Sequence, residues 1–121
     1  MTYVDGFVLS IEKDKIEEYR EMAEAAGKTW LKHGALEYKE CIADDMEDKG
    51  FCATFPATFK PKPGEVMVFA YITYKSREHR DEVNQKVHND PEMKEGCNAD
   101  DMPFDMKRMC YGGFKAIVEC S

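Results

Sequence analysis

Nothing in this sequence narrows the choice of fold more than the stretch Val66 to Ile72, seven consecutive apolar residues bounded by Pro63-Gly64 on one side and Ser76 on the other. A run this short, rich in β-branched and aromatic types, reads as a strand, since a membrane span needs roughly twenty apolar residues. Successive side chains on a strand point to opposite faces. Val66, Val68, Ala70 and Ile72 therefore share one face, and Met67, Phe69 and Tyr71 share the other. Both faces are apolar, so both must be covered, or the exposed patch exceeds what soluble monomers tolerate. Thr2 to Ser10 repeats the pattern, with Val4 and Val8 opposed to Tyr3, Phe7 and Leu9.

The remaining elements follow from local signals. Asp14 precedes Glu17 as in a capping box, and Ile16, Tyr19, Met22, Ala23, Ala26 and Trp30 recur at helical spacing up to a Gly34 stop. Ala35 to Ile42 resumes as a second strand before the acidic turn Asp44-Asp45. The excursion 46–65 holds Gly50, Pro56, Pro61, Pro63 and Gly64, with an edge strand expected near Phe51 to Phe59. After Val66 to Tyr74, Ser76 caps a second helix that turns Val83 and Val87 inward and ends near Asn89, ahead of Asp90-Pro91. Residues 91–106 read as short turns, and Arg108 to Glu119 as a last strand that bends or bulges at Gly112-Gly113.

Strand, helix, strand, strand, helix, strand with right-handed crossovers gives an α+β, ferredoxin-like βαββαβ sandwich, a single domain over residues 1–121. Its helices cover one face of the sheet. The economical cover for the second apolar face is the sheet of another copy, so a homodimer is expected.

Charge and cysteines bound the partners. Seventeen Lys and Arg against 24 Asp and Glu leave a net charge of −7, which opposes nucleic acids and anionic membranes. The amino terminus lacks the pattern of a secretory signal, so a cytoplasmic location is expected. Cys41, Cys52, Cys97, Cys110 and Cys120 are odd in number and never spaced C-x-x-C, which reads as reduced thiols acting as small apolar fillers. No phosphate loop, dinucleotide fingerprint or nucleophile elbow is present, and no histidine has a partner at metal spacing; no cofactor and no metal are expected.

Several long strings, namely Tyr3-Val4-Asp5-Gly6-Phe7-Val8, Gly34-Ala35-Leu36, Glu40-Cys41 with Ala43-Asp44-Asp45, Asn84 with Asp90-Pro91, and Met102 to Met109 running into Tyr111-Gly112-Gly113-Phe114, resemble the YbaA-like proteins, the DUF1428 family of unknown function. The resemblance spans nearly the whole chain. It implies the dimeric α/β barrel superfamily, in which two ferredoxin-like sheets pair, and supplies no reaction. The chain departs from the expected pattern at Ile42, where a tryptophan is usual, and at Ala70-Tyr71, where Ser-Trp is usual.

Candidate site residues come from polar groups set among apolar ones. Asp5 lies on the central first strand, where desolvation raises a carboxyl unless Lys107, Arg108 or Lys115 compensates it; it serves either as a general base or as a structural anchor. Both parities of its strand are apolar, so its face is left open. Tyr71 and Tyr111 orient a substrate oxygen if they share its cavity, or pack with satisfied hydroxyls. Glu40 with Asp44 and Asp45 offers oxygen ligands to a hard cation or forms a solvated acidic turn. Asp105, Lys107 and Arg108 bind an anionic group or form surface ion pairs. His79 shares the inward line of Val83, while His33 and His88 sit at helix ends.

Two functions follow. One is a dimer whose apolar cavity binds a small organic molecule, with superfamily resemblance extending this to cofactor-free oxygenase or isomerase chemistry using Asp5, Tyr71 and Tyr111. The other is a non-catalytic homodimeric binding or interaction module.

Overall fold

A computed structural model describes residues 1–96 and 102–121. Strand β1 (Tyr3–Glu12) leads through a short 3-10 turn into helix α1 (Ile16–Lys32), then β2 (Glu37–Ile42), a short helix α2 (Phe55–Phe59), β3 (Glu65–Tyr74), α3 (Arg77–His88), α4 (Pro91–Gly96) and β4 (Cys110–Lys115). The sheet is antiparallel throughout with order β2-β3-β1-β4, the ferredoxin-like arrangement, and β1 lies between β3 and β4 as expected.

Register assigns the faces. Asp5, Phe7, Leu9 and Ile11 pair with Ile72, Ala70, Val68 and Val66, and all turn toward α1 and α3. Tyr38, Glu40 and Ile42 of β2 oppose Ile72, Ala70 and Val68 on that face. The core there has two clusters. Leu9, Ile11, Tyr19, Ala23 and Val68 form the first, and Ala35, Ile72, Tyr74, Val83 and Val87 the second.

Caps explain most helix boundaries. Ser76 Oγ accepts from the His79 amide at 3.1 Å, starting α3 as the sequence indicated. Gly34 takes φ +112° just past α1, a conformation that side chains disfavour. Asp14, however, does not cap α1: it sits inside the 3-10 turn, and Lys15 starts the helix with no side-chain bond.

Other expectations need correction. The edge strand expected within 51–59 is helix α2, because Thr54 Oγ1 accepts from the Ala57 amide at 3.1 Å and Pro56 occupies the first turn, where its missing N–H leaves no bond unmade. Asp90-Pro91 ends α3 but also begins α4, with Asp90 Oδ1 accepting from the Glu92 amide at 2.9 Å. The last strand is shorter than 108–119, and Gly113 and Gly112 pair with Asp5 and Gly6 in unbroken register, without a bulge.

The second sheet face carries Val8, Met67, Phe69, Tyr71, Cys110 and Phe114. Part of it is covered from within the chain, since Phe55 of α2 stands edge-on to Phe69 with ring centroids 6.3 Å apart. The cover is incomplete, leaving Phe69 45% and Phe114 63% exposed.

Candidate functional site

The expected base, Asp5, faces the helices and is 2% exposed. Its compensating cation comes from elsewhere than expected. Arg80 of α3 brings Nη1 to 2.7 Å from Asp5 Oδ1, and the hydroxyl of Tyr111, whose ring lies tilted against Phe7, donates to the same oxygen at 3.1 Å. Arg80 also donates to Tyr111 Oη at 2.8 Å and lies over the Tyr3 ring, 5.0 Å from its centroid. Burial, then the Asp5 charge, raise the Tyr111 phenol above its ordinary range, which keeps it a donor. Arg80 was legible in principle: it lies three residues before Val83 and seven before Val87, on the inward line of α3.

The other cations are placed differently. Arg108 pairs two-pronged with Glu65, its Nη1 and Nη2 at 2.9 and 2.8 Å from the two carboxylate oxygens. Asp105 Oδ1 accepts from the Lys107 amide at 3.0 Å and so caps the 3-10 turn Met106–Arg108, while the Lys107 side chain is exposed. The three thus divide between an ion pair, a cap and solvent. Tyr71 lies on the second sheet face, opposite Gly6 and beside Phe69, with ring centroids 6.3 Å apart. Alternation therefore separates it from Asp5 and Tyr111, and the three do not share a cavity.

Glu40 belongs to no acidic turn. On β2 it points beneath α1, where its Oε1 accepts from the Tyr19 hydroxyl at 2.5 Å and its Oε2 from the Tyr38 hydroxyl at 2.8 Å. Burial, then the Glu40 charge, push both phenols well above their ordinary range, so both remain protonated donors. Asp45 is instead exposed and bonded to Lys49. Among the described residues no three His, Cys, Asp or Glu side chains converge to hold a metal.

Two hollows meet at Glu40. A cavity of about 210 Å³ lies where the two core clusters fail to close, lined by Phe7, Trp30, Met93, Met102, Phe104 and Met109, with Ala26 and Ala70 as its small residues. An outer groove of about 460 Å³ runs between α1 and β2 past Leu31 and Ile42. Tyr19, Tyr38 and Glu40 line both and so stand between them. All three departures from the expected pattern sit here, Ala70 and Tyr71 along the cavity and Ile42 in the groove. Asp5 lines neither.

Two of the three histidines serve structure, and His88 is exposed. His33 Nε2 is 2.7 Å from Asp90 Oδ2, and His79 Nδ1 accepts from the Lys75 amide at 3.0 Å. The cysteines correct the reading as core fillers: Cys41, Cys52, Cys110 and Cys120 are free and exposed, and Cys97 lies outside the described residues.

Comparisons with known proteins agree with this architecture. A crystal structure of an uncharacterised NIPSNAP domain protein from Burkholderia xenovorans superposes with a TM-score of 0.56 at 12% identity, over 98% of each chain, a likeness of fold alone. The uncharacterised protein YbaA of Escherichia coli K12 is 46% identical over 119 residues, 98% of this chain and 99% of that one, and its counterpart in Shigella flexneri matches equally. The sequence model for the protein of unknown function DUF1428 matches residues 2–106. On both grounds, this chain belongs to the DUF1428 family.

Proposed function

We propose that this protein binds a small, largely apolar organic molecule in the cavity beneath α1, and that it does so as a cytoplasmic homodimer. The carrying observation is the hollow of about 210 Å³ lined by members of both core clusters. Protein interiors are packed to crystal-like density, and apolar hollows with a few convergent polar groups are the usual form of ligand sites. The polar group here is Glu40, held by two phenols. Asp5 has Oδ1 engaged by both Arg80 and Tyr111 and stands outside the cavity, which favours its role as an anchor over that of a base, and favours binding over cofactor-free turnover. Four exposed free thiols fit a reducing compartment.

Trp30, the sole tryptophan, lines the cavity and reports on its occupancy. Titration with 2-phenylethanol should give a saturable change in its fluorescence, abolished by Ala26→Leu, which fills the cavity without lowering the thermal midpoint. A non-saturable change, or the same change in both proteins, contradicts the reading.

The homodimer rests on the open half of the second sheet face, where Phe69 and Phe114 lie exposed. Burying such a face against a second copy removes an apolar patch from water at about 25 cal/mol per Å².

A further inference from the structure

We infer that the cavity's ligand is an organic cation, an amine with an apolar body, whose ammonium seats against Glu40 inside a cage of aromatic rings. This rests on the small-molecule reading above and names its ligand class. The other shielded carboxylates each have a cation: Asp5 has Arg80, Glu65 has Arg108, and Asp90 has Lys32. Among the described residues Glu40 pairs with none; its oxygens receive only the two phenols. The cations lining the two hollows are paired elsewhere: Arg20 and Lys28 with Glu17 and Glu24 on the outer face of α1, and Lys39 with Glu37 on β2. A half-buried carboxylate left without a counter-ion still draws positive charge, which a cationic ligand supplies.

The surrounding rings suit the same guest. Tyr19 meets Phe104 edge-on with centroids 5.7 Å apart, and Trp30 lies 6.1 Å from Tyr38. All four line the cavity, and Glu40 ties the phenol of one pair to the phenol of the other. Ring faces attract an ammonium, most strongly when water is excluded. Each Glu40 oxygen accepts one phenol and retains a further lone pair for an N–H donor.

The experiment compares 2-phenylethylamine with its neutral isostere 2-phenylethanol by Trp30 fluorescence at pH 7. The amine should bind about tenfold more tightly than the alcohol, as a charge-assisted hydrogen bond does over a neutral one, and Glu40→Gln should erase that preference. Equal affinities in the native protein overturn the cation assignment while leaving small-molecule binding intact. Binding of neither probe overturns both. Should Glu40→Gln fail to fold, the ratio in the native protein decides alone.

Discussion

Arg80 on α3 and Asp5 on β1, 75 residues apart in sequence, meet at 2.7 Å with both side chains nearly sealed from solvent. Removing one partner of such a pair leaves the other charge buried and alone. Arg80→Met should lower unfolding free energy by about 3–5 kcal/mol. Adding Asp5→Asn to it should restore part of the loss, because the stranded carboxylate disappears. Urea unfolding checks both; a double variant less stable than Arg80→Met would show that the pair is not coupled in this way.

Glu65 links stability to acid. Its bonds to Arg108, outweighing desolvation, lower its carboxyl from 4.5 to about 2. A carboxyl lowered in the folded state contributes stability that is fully present above its unfolded value and is lost as pH falls from about 4.5 through about 2. Glu65→Gln should therefore flatten the decline of the urea midpoint over that window and lower the midpoint at pH 7. An unchanged acid slope would count against the pairing.

Gly27 faces the Tyr38 ring so closely that an added Cβ would lie 2.7 Å from Cδ1. Replacing glycine by alanine within a helix ordinarily stabilises by about 1 kcal/mol. Here the ring is held by Glu40 and set against Trp30, so Gly27→Ala should instead destabilise, by about 1–3 kcal/mol, through overpacking. Thermal unfolding gives the sign directly.

The open sheet face yields a prediction about assembly. Phe69→Lys places a charge on that face without touching the helix-side core, so a dimer should become a folded monomer. Light scattering with circular dichroism at micromolar concentration tests this. A native protein that is already monomeric contradicts the dimer.

How far these features could be read in the sequence depends on whether local chemistry or tertiary contact decides them. The strand order, α1, β3 and the Ser76 cap rest on periodicity and turn chemistry, and the structure shows them. The face of Asp5 was illegible because both parities of β1 are apolar, so alternation carried no sign. Thr54-Phe55-Pro56 did carry a helix start, but the prolines and aromatics around it resemble an edge strand equally well. Glu40 looked like part of the Asp44-Asp45 turn, and only the packing of α1 over β2 sets it between two phenols. Tyr38, two residues away on the same strand, shares its face by alternation, but Tyr19, 21 residues away on α1, is reached only through tertiary packing.

The cavity itself can be tested with methyl groups already in place. Of the eight methionines, Met22, Met93, Met102 and Met109 line it, while Met1, Met46, Met67 and Met106 do not. In protein labelled with carbon-13 at the methionine methyls and titrated with 2-phenylethylamine, the first four resonances should shift together and saturate while the other four stay fixed. Shifts confined to Met46 and Met67, or no saturable shift among the lining four, would contradict a ligand site beneath α1.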